Sequence, residues 1–379
     1  MDTASVRAFL EERHVTLAAR VSEFATRQIA PLPEPVDDKA AREQARALLA
    51  TIGAAGWFEP IRDQDWRTCC LVREALAAAS PLADAVFALQ ALGVVPILLA
   101  GNDAMRKRWL DAAIQGRAMA SFAMTEPNAG SDAASLGAQA TRDGDGYVLS
   151  GTKTFISNAG IADFYTVFAT TDPTKKDKGI GCFVVAADTP GLRLVRPLVL
   201  SAPHPLGEIA FREARIPGEC RLDADGKGEG FKLGLATLDR VRATVGAAAC
   251  GMASRALAEA LAHSKSRQQF GKPIADFQLI QEKLARMATE LTAARLLVYR
   301  AAWEKDQGAP RVTLEAAMAK AYATEAAQRI VDDAVQILGG RGVLADSPVD
   351  RLYRSVRALR IYEGTTEIQH LIIAGQLLK

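Results

Sequence analysis

The chain has 379 residues, 49% hydrophobic and 24% charged, which is enough for two or three domains and a large buried core. A formal net charge of +2, with Arg and acidic residues interspersed, gives no electrostatic footprint for nucleic acid. The five cysteines (Cys69, Cys70, Cys182, Cys220, Cys250) include no C-x-x-C pair, and the N-terminus carries Glu11 and Glu12 with no apolar signal core; together these predict a cytoplasmic protein.

Three composition regimes follow in chain order, predicting domains at 1–117, 118–222 and 223–379. The first is helical, with apolar residues at helical spacing (Val6, Phe9, Leu10; Ala45, Leu48, Leu49, Ile52) and a loop at Pro31, Pro33 and Pro35. Within it, Pro81 to Ala100 is nearly as long as a bilayer span. Asp84, Gln90, Gly93 and Pro96 interrupt it, which predicts a pair of buried core helices and no membrane span. The second regime holds short β-rich runs, among them Tyr147–Leu149, Thr154–Ile156, Tyr165–Phe168 and Cys182–Val185. Asp143-Gly144-Asp145-Gly146 signals a hairpin between two strands. The third predicts long helices over Phe231–Ser264, Asp276–Asp306 and Thr313–Leu338, with a fourth starting near Pro348 and Asp276 available as an N-cap. Small residues from Gly246 to Ala253 suit close helix packing or an oligomer interface. Strands grouped between helical blocks predict an α+β fold and no Rossmann sheet.

Several stretches carry candidate chemistry. Phe122-Ala123-Met124-Thr125-Glu126-Pro127-Asn128-Ala129-Gly130-Ser131-Asp132 is a turn with hydroxyls beside exposed amides, able to hold a heterocycle or a phosphate. From the residues alone, an Asn-Ala-Gly turn closed by a Ser-Asp cap is the favoured reading. In Gly151 to Gly160, period-two alternation predicts Phe155 and Ser157 on one strand face, fit for a stacked ring or for ordinary cross-strand packing. Arg267 to Gln278 turns through Gly271 and Pro273, with Arg267 either serving a pyrophosphate or ending a helix. Gln336 to Gly342 reads as a helix C-cap, and Arg351, Arg354, Arg357 and Arg360 form a solvated or interface stripe. Glu363 stands between Tyr362 and Gly364, next to Thr365 and Thr366; partial desolvation there strengthens a base. There is no G-x-G-x-x-G after a strand, no Walker A loop, no H-E-x-x-H and no G-x-S-x-G, so no metal site is predicted. Gly226, Gly228 and Gly230 cluster outside any βαβ unit.

In register, T-E-P-x-A-G-S-D, G-x-K-x-x-I-S-N, R-x-x-F-G-x-P-I-x-x-F-Q, Q-I-L-G-G-x-G and Y-E-G-T-x-E-I-Q resemble the acyl-CoA dehydrogenase family over almost the whole chain. The resemblance implies an N-terminal helical domain, a middle β domain and a C-terminal four-helix bundle that bind FAD non-covalently. It implies that Phe122, Met124, Thr125, Gly130 and Ser131 hold the flavin ring with Phe155 and Ile156. Phe155 covers the ring where many members carry Trp, and Ser157 replaces the usual Thr beside flavin N5. Arg267, Gln269, Phe270, Gln278, Gln336, Gly339 and Gly340 match positions that reach a neighbouring subunit's FAD, implying a homodimer or homotetramer. Thr365 and Glu367 match residues closing over the cofactor. Ser131, Asp239, Arg242 and Gly364 match positions near the acyl-CoA.

Glu363 matches the family's commonest base position, while Val241 fills the alternative position and cannot act as a base. The implied reaction is α,β-dehydrogenation of an acyl-CoA to the 2-enoyl-CoA, with Glu363 taking the α-proton and an electron-transfer flavoprotein as acceptor. An O₂-using oxidase or monooxygenase on the same fold is the alternative; a catalytically silent flavoprotein binding a partner through the Arg stripe is a third reading. Two departures bear on the site. Leu200-Ser201-Ala202-Pro203-His204-Pro205-Leu206-Gly207-Glu208 stands where most members read G-x-R-x-S-D-T, and His370 replaces a frequent Arg.

Overall fold

The computed structural model describes residues 3–223 and 229–379, so Gly226 and Gly228 of the glycine cluster lie outside the described residues. The chain divides into two compact units. One comprises the chain up to Pro33, Asp65–Asp84 and Arg242–Lys379; the other comprises Glu34–Gln64 and Ala85–Val241. The helical N-terminal regime is thus shared between them.

The second unit is built on a seven-stranded sheet: β1 (Ala120–Ala123), β2 (Gln139–Asp143), β3 (Gly146–Ser157), β4 (Phe164–Thr170), β5 (Ile180–Ala186), β6 (Leu192–Pro197) and β7 (Leu206–Ile216). The strand path is β1-β4-β2-β3-β7-β6, with β5 paired to β4. The hairpin signal holds: Asp143 pairs with Gly146, and Gly144 supplies φ +60° in the two-residue turn. β4 and most of β5 are buried along their whole length, as their unbroken apolar runs require. Helix Asp38–Ala54 is tied by polar contacts to the segment between β3 and β4 and to the start of β7. Arg46 pairs with Asp163 at 2.6 Å, and Arg42 donates to the carbonyls of Ala159 and Leu206.

Pro81–Ala100 is one continuous helix, where a pair was expected. Pro96 lacks an N–H but leaves the helix unbroken, and most of the helix is buried. Its Gln90 side chain donates to Ala113 O and Ala118 O and accepts from Ala120 N, which explains a polar residue in an apolar run.

The first unit is helical. Gly230–Ser266 enters it at Arg242 and is followed by Gln278–Asp306, Thr313–Leu338, Pro348–Leu359 and Thr366–Leu377. Asp276 does not cap the second of these: it lies in a 3₁₀ turn, and Phe277 occupies the cap position with no side-chain bond. The small residues of Gly230–Ser266 admit neighbouring backbones. A Cβ on Gly251 would collide with the Glu74 carbonyl, and one on Gly246 would lie 2.6 Å from Val298 Cγ2. Between helices Trp66–Ala79 and Gln278–Asp306, Glu74 accepts from Arg295 Nε at 2.7 Å and from the Tyr299 hydroxyl at 2.9 Å.

Candidate active site

In the second unit, the loop after β1 is fixed by a buried ion pair. Lys153 Nζ lies 2.6 Å from Glu126 Oε1 and donates to Met124 O at 3.1 Å. Glu126 also accepts from Gly137 N (2.6 Å) and Ala138 N (2.9 Å), so every charge is matched. Burial pulls the Lys153 pKa down to about 8, against the opposing pull of Glu126. Thr154 N donates to Thr125 O at 3.0 Å, completing a lock between loop and strand. Phe122 packs on Phe168 with ring centres 4.9 Å apart, and Met124 is buried. Gly130 and Ser131 are exposed.

The simple pleat expected from Phe155 to Ser157 is interrupted. β3 has an irregular register between Lys153 and Ile156, and Phe155 sits at φ +54° with its side chain 64% exposed. Ile156 is buried and Ser157 half-buried. An aromatic held in a costly backbone conformation and left exposed is a residue its own fold does not consume. Ser157 Oγ lies 2.8 Å from His204 Nε2, a contact that spacing along the chain gave no means of finding.

In the first unit, Glu363 occupies a turn at φ +54° followed by Gly364 at φ +91°, a value favouring glycine. The turn is clamped from three sides. Lys320 Nζ donates to Gly364 O at 2.7 Å, and Gln369 Nε2 donates to Gly364 O (3.0 Å) and Glu363 O (3.2 Å). The third support is Glu325, which accepts from Arg360 and from the Thr366 hydroxyl. Thr365 caps Thr366–Leu377, its hydroxyl accepting from Ile368 N, while Glu367 is exposed. Oε2 of Glu363 is buried and has no hydrogen-bond donor among the described residues. Burial raises the Glu363 pKa; the charges of Arg73, Lys320 and Arg242 oppose the rise, and Asp84 adds to it. A half-buried carboxylate with a free oxygen and a raised pKa is equipped to take a proton.

Arg73 and Lys320 were not among the residues singled out from sequence. Arg73 is 1% exposed, makes a bidentate pair with Asp84 (2.7 and 2.9 Å) and donates to Thr244 Oγ1 at 2.9 Å. Lys320 is fully buried, and its pKa is drawn down to about 8 by burial. Lys320 in an Ala-rich helical run and Asp84 in an apolar one are the signals that were available. Val241 is buried. Asp239 lies on the same helix in the other unit, and Arg242 is buried.

The remaining expected residues are exposed: Arg267, Gln269, Gln278, Gln336, Gly339 and Gly340, with Phe270 93% exposed at φ +51°. Gly339 ends its helix at φ +59°, the expected C-cap. Four of the seven non-glycine residues at positive φ among the described residues (Phe155, Asn158, Phe270, Glu363) fall in these stretches. Within the β unit, the exposed ring of Phe155 and the open backbone at Gly130 suit a large planar cofactor. Among the described residues, a Cβ on Gly130 or Gly340 would meet no atom beyond its chain neighbours within 4 Å, so packing there does not demand glycine. Bare backbone there suits close approach by a ligand.

The chain folds as an α+β protein, with a helical unit that carries Glu363 and a β unit that presents the exposed ring of Phe155. Three family profiles match in succession: "Acyl-CoA dehydrogenase, N-terminal domain" over residues 11–117, the middle domain over 121–214 and the C-terminal domain over 228–378. The chain belongs to the acyl-CoA dehydrogenase family, whose members are FAD enzymes. It is 38% identical over 378 residues to probable acyl-CoA dehydrogenase FadE25 of Mycobacterium tuberculosis, covering 98% of this chain and 96% of that protein. It is 42% identical over 287 residues to the short-chain specific acyl-CoA dehydrogenase of Megasphaera elsdenii, covering 75% and 74%. Among solved structures, butyryl-CoA dehydrogenase from Megasphaera elsdenii superposes with a TM-score of 0.90 at 35% identity, covering 98% and 99%. A glutaryl-coenzyme A dehydrogenase bound to glutaryl-CoA gives 0.90 at 32%, covering 97% and 96%.

Proposed function

We propose that this protein oxidises a short or compact acyl-CoA to its 2-enoyl-CoA, with Glu363 as the base that takes the α-proton. The observation that carries this reading is the free, buried Oε2 of Glu363 in a turn held by Lys320 and Gln369. A thioester α-proton is far less acidic than a carboxylic acid, so the base must be strengthened by desolvation and held in place. Burial supplies the first requirement and the carbonyl clamp the second. The charges of Arg73, Lys320 and Arg242 favour the ionised carboxylate against that burial, and Asp84 opposes them. Bound FAD supplies the acceptor for the β-hydride. Phe122 to Ser131 and Phe155 to Ser157 would hold its ring, and the ion pair of Lys153 and Glu126 keeps those two segments in register.

The butyryl-, short-chain and glutaryl-CoA relatives support a compact acyl group. An electron-transfer flavoprotein is the proposed acceptor, supported by a structural neighbour titled "Electron transferring flavoprotein of Acidaminococcus fermentans", at 33% identity and a TM-score of 0.90 with full coverage of both chains. Exposed Phe270 and Leu279 beside Arg267 and Gln278 support a homodimer or homotetramer. Five buried free thiols support a reducing, cytoplasmic setting. The test is anaerobic mixing of the yellow protein with acyl-CoAs graded in length, branching and ring content. Bleaching by compact saturated acyl-CoAs is expected; if none bleaches the flavin, the reading fails.

A further inference from the structure

We infer that His204 is a positioning residue for the flavin site, acting through the hydroxyl of Ser157. The inference rests on the proposed flavin role of Ser157 and starts from the contact between Ser157 Oγ and His204 Nε2 at 2.8 Å.

The contact is built into the fold. Ser157 ends β3 and pairs with Leu206 at the start of β7, so His204 stands two residues before a fixed register point. Asn158 N donates to Pro205 O at 2.8 Å, and Arg42 donates to Ala159 O (2.5 Å) and Leu206 O (2.7 Å). Asp38 holds Arg42 in turn at 2.6 Å. Both backbone segments flanking the pair are therefore tied down, and prolines at 203 and 205 stiffen the histidine's own segment.

Chemistry assigns the role. A lone serine hydroxyl rotates freely and divides its hydrogen bond among whatever partners it meets. Here one partner is fixed. Burial, with the charge of Arg42 helping and Asp38 opposing, draws the imidazole pKa down to about 4, so the ring is neutral in the working range. A neutral imidazole nitrogen accepts when bare and donates when protonated. Ser157 can accordingly donate to a ligand nitrogen while accepting from His204, or accept from a ligand N–H while donating to it. A ring nitrogen that changes from acceptor to N–H donor as it is reduced would find a partner of the right kind in both states.

The test compares His204→Leu, Ser157→Ala and the double variant, each as FAD-loaded protein. The readouts are the visible spectrum of the oxidised flavin, its midpoint potential and the rate of its reduction by an acyl-CoA. Each single variant should shift the spectrum, move the potential to more negative values and slow reduction about five- to tenfold, the worth of one neutral hydrogen bond. The double variant should match Ser157→Ala, because a residue acting through the hydroxyl has nothing left to act on. His204→Gln, which keeps a donor and acceptor within reach, should restore values close to those of the unsubstituted protein. An unchanged spectrum and potential in His204→Leu overturns the inference, as does an equal further shift when His204→Leu is added to Ser157→Ala. If His204→Leu does not hold flavin, His204→Asn is read by the same criteria. Protein that never binds FAD removes the underlying reading of Ser157 instead, and is recognised by the absence of colour before any substitution.

Discussion

Glu363 shows how one residue can be tuned against stability. Its pKa is raised in the folded chain, chiefly by burial, so the folded state holds the proton more tightly than the unfolded state does. Any stability this gives is fully present below the unfolded value near 4.5 and is lost as pH rises through the folded one. With Glu363 as the proposed base the ionised form is the active one, so activity should rise over the same span in which stability falls. Glu363→Gln should keep its flavin and lose turnover by about 10²–10⁴-fold. The same variant should melt higher than the unsubstituted protein at pH 8 and show no advantage at pH 4, as read by thermal unfolding at both pH values. Turnover within tenfold of normal would place the base elsewhere.

At the scale of elements, two devices hold the working surfaces. The loop Phe122–Ser131 depends on the buried pair of Lys153 and Glu126. Lys153→Met would leave the carboxylate without its cation, with only two amides to solvate it. Breaking such a pair costs about 3–5 kcal/mol, so the denaturant midpoint should fall with an unchanged m-value, and flavin should dissociate more readily. A loss under 1 kcal/mol would show that the loop is held by other contacts. The second device is close helix packing at Gly251, where a Cβ collides with Glu74 O. Gly251→Ala should destabilise by about 1–3 kcal/mol despite Ala being the better helix former. A more stable variant would mean that the helix Trp66–Ala79 yields without cost.

For the molecule as a whole, His204 and Asp65 lower stability in acid, against the opposite contribution of Glu363. His204, held neutral in the fold with a pKa of about 4, takes up a proton more readily when unfolded, where the ordinary value is near 6.5. Asp65 is held well below the usual carboxylate range: bonds to His14, Thr68 and Arg13 outweigh its burial. In both cases the unfolded chain binds more protons, so stability falls as pH drops. The His204 contribution is lost between about pH 6.5 and 4, and that of Asp65 below about 4. Melting temperature against pH should therefore decline in two stages on acidification, and His204→Gln should flatten the first stage alone.

The sequence by itself determined the local chemistry. Hairpin residues Asp143 to Gly146, the helix-ending Gly339 and the Gly364 that lets the Glu363 turn form all act over a few bonds, so composition and spacing disclose them. The motif register disclosed the family for the same reason, since each motif is a short contiguous segment. Periodicity failed where tertiary packing overrode it: Phe155 left the pleat, Pro96 stayed inside a helix and Asp276 capped nothing. Only the tertiary structure decided the partners that lie far apart in the chain: Lys320 on the carbonyl of Gly364, Arg73 on Asp84 and Thr244, and His204 on Ser157. Those contacts span 11 to 171 positions. Electrostatic tuning depends on distance and burial, and neither is a property of position along a chain.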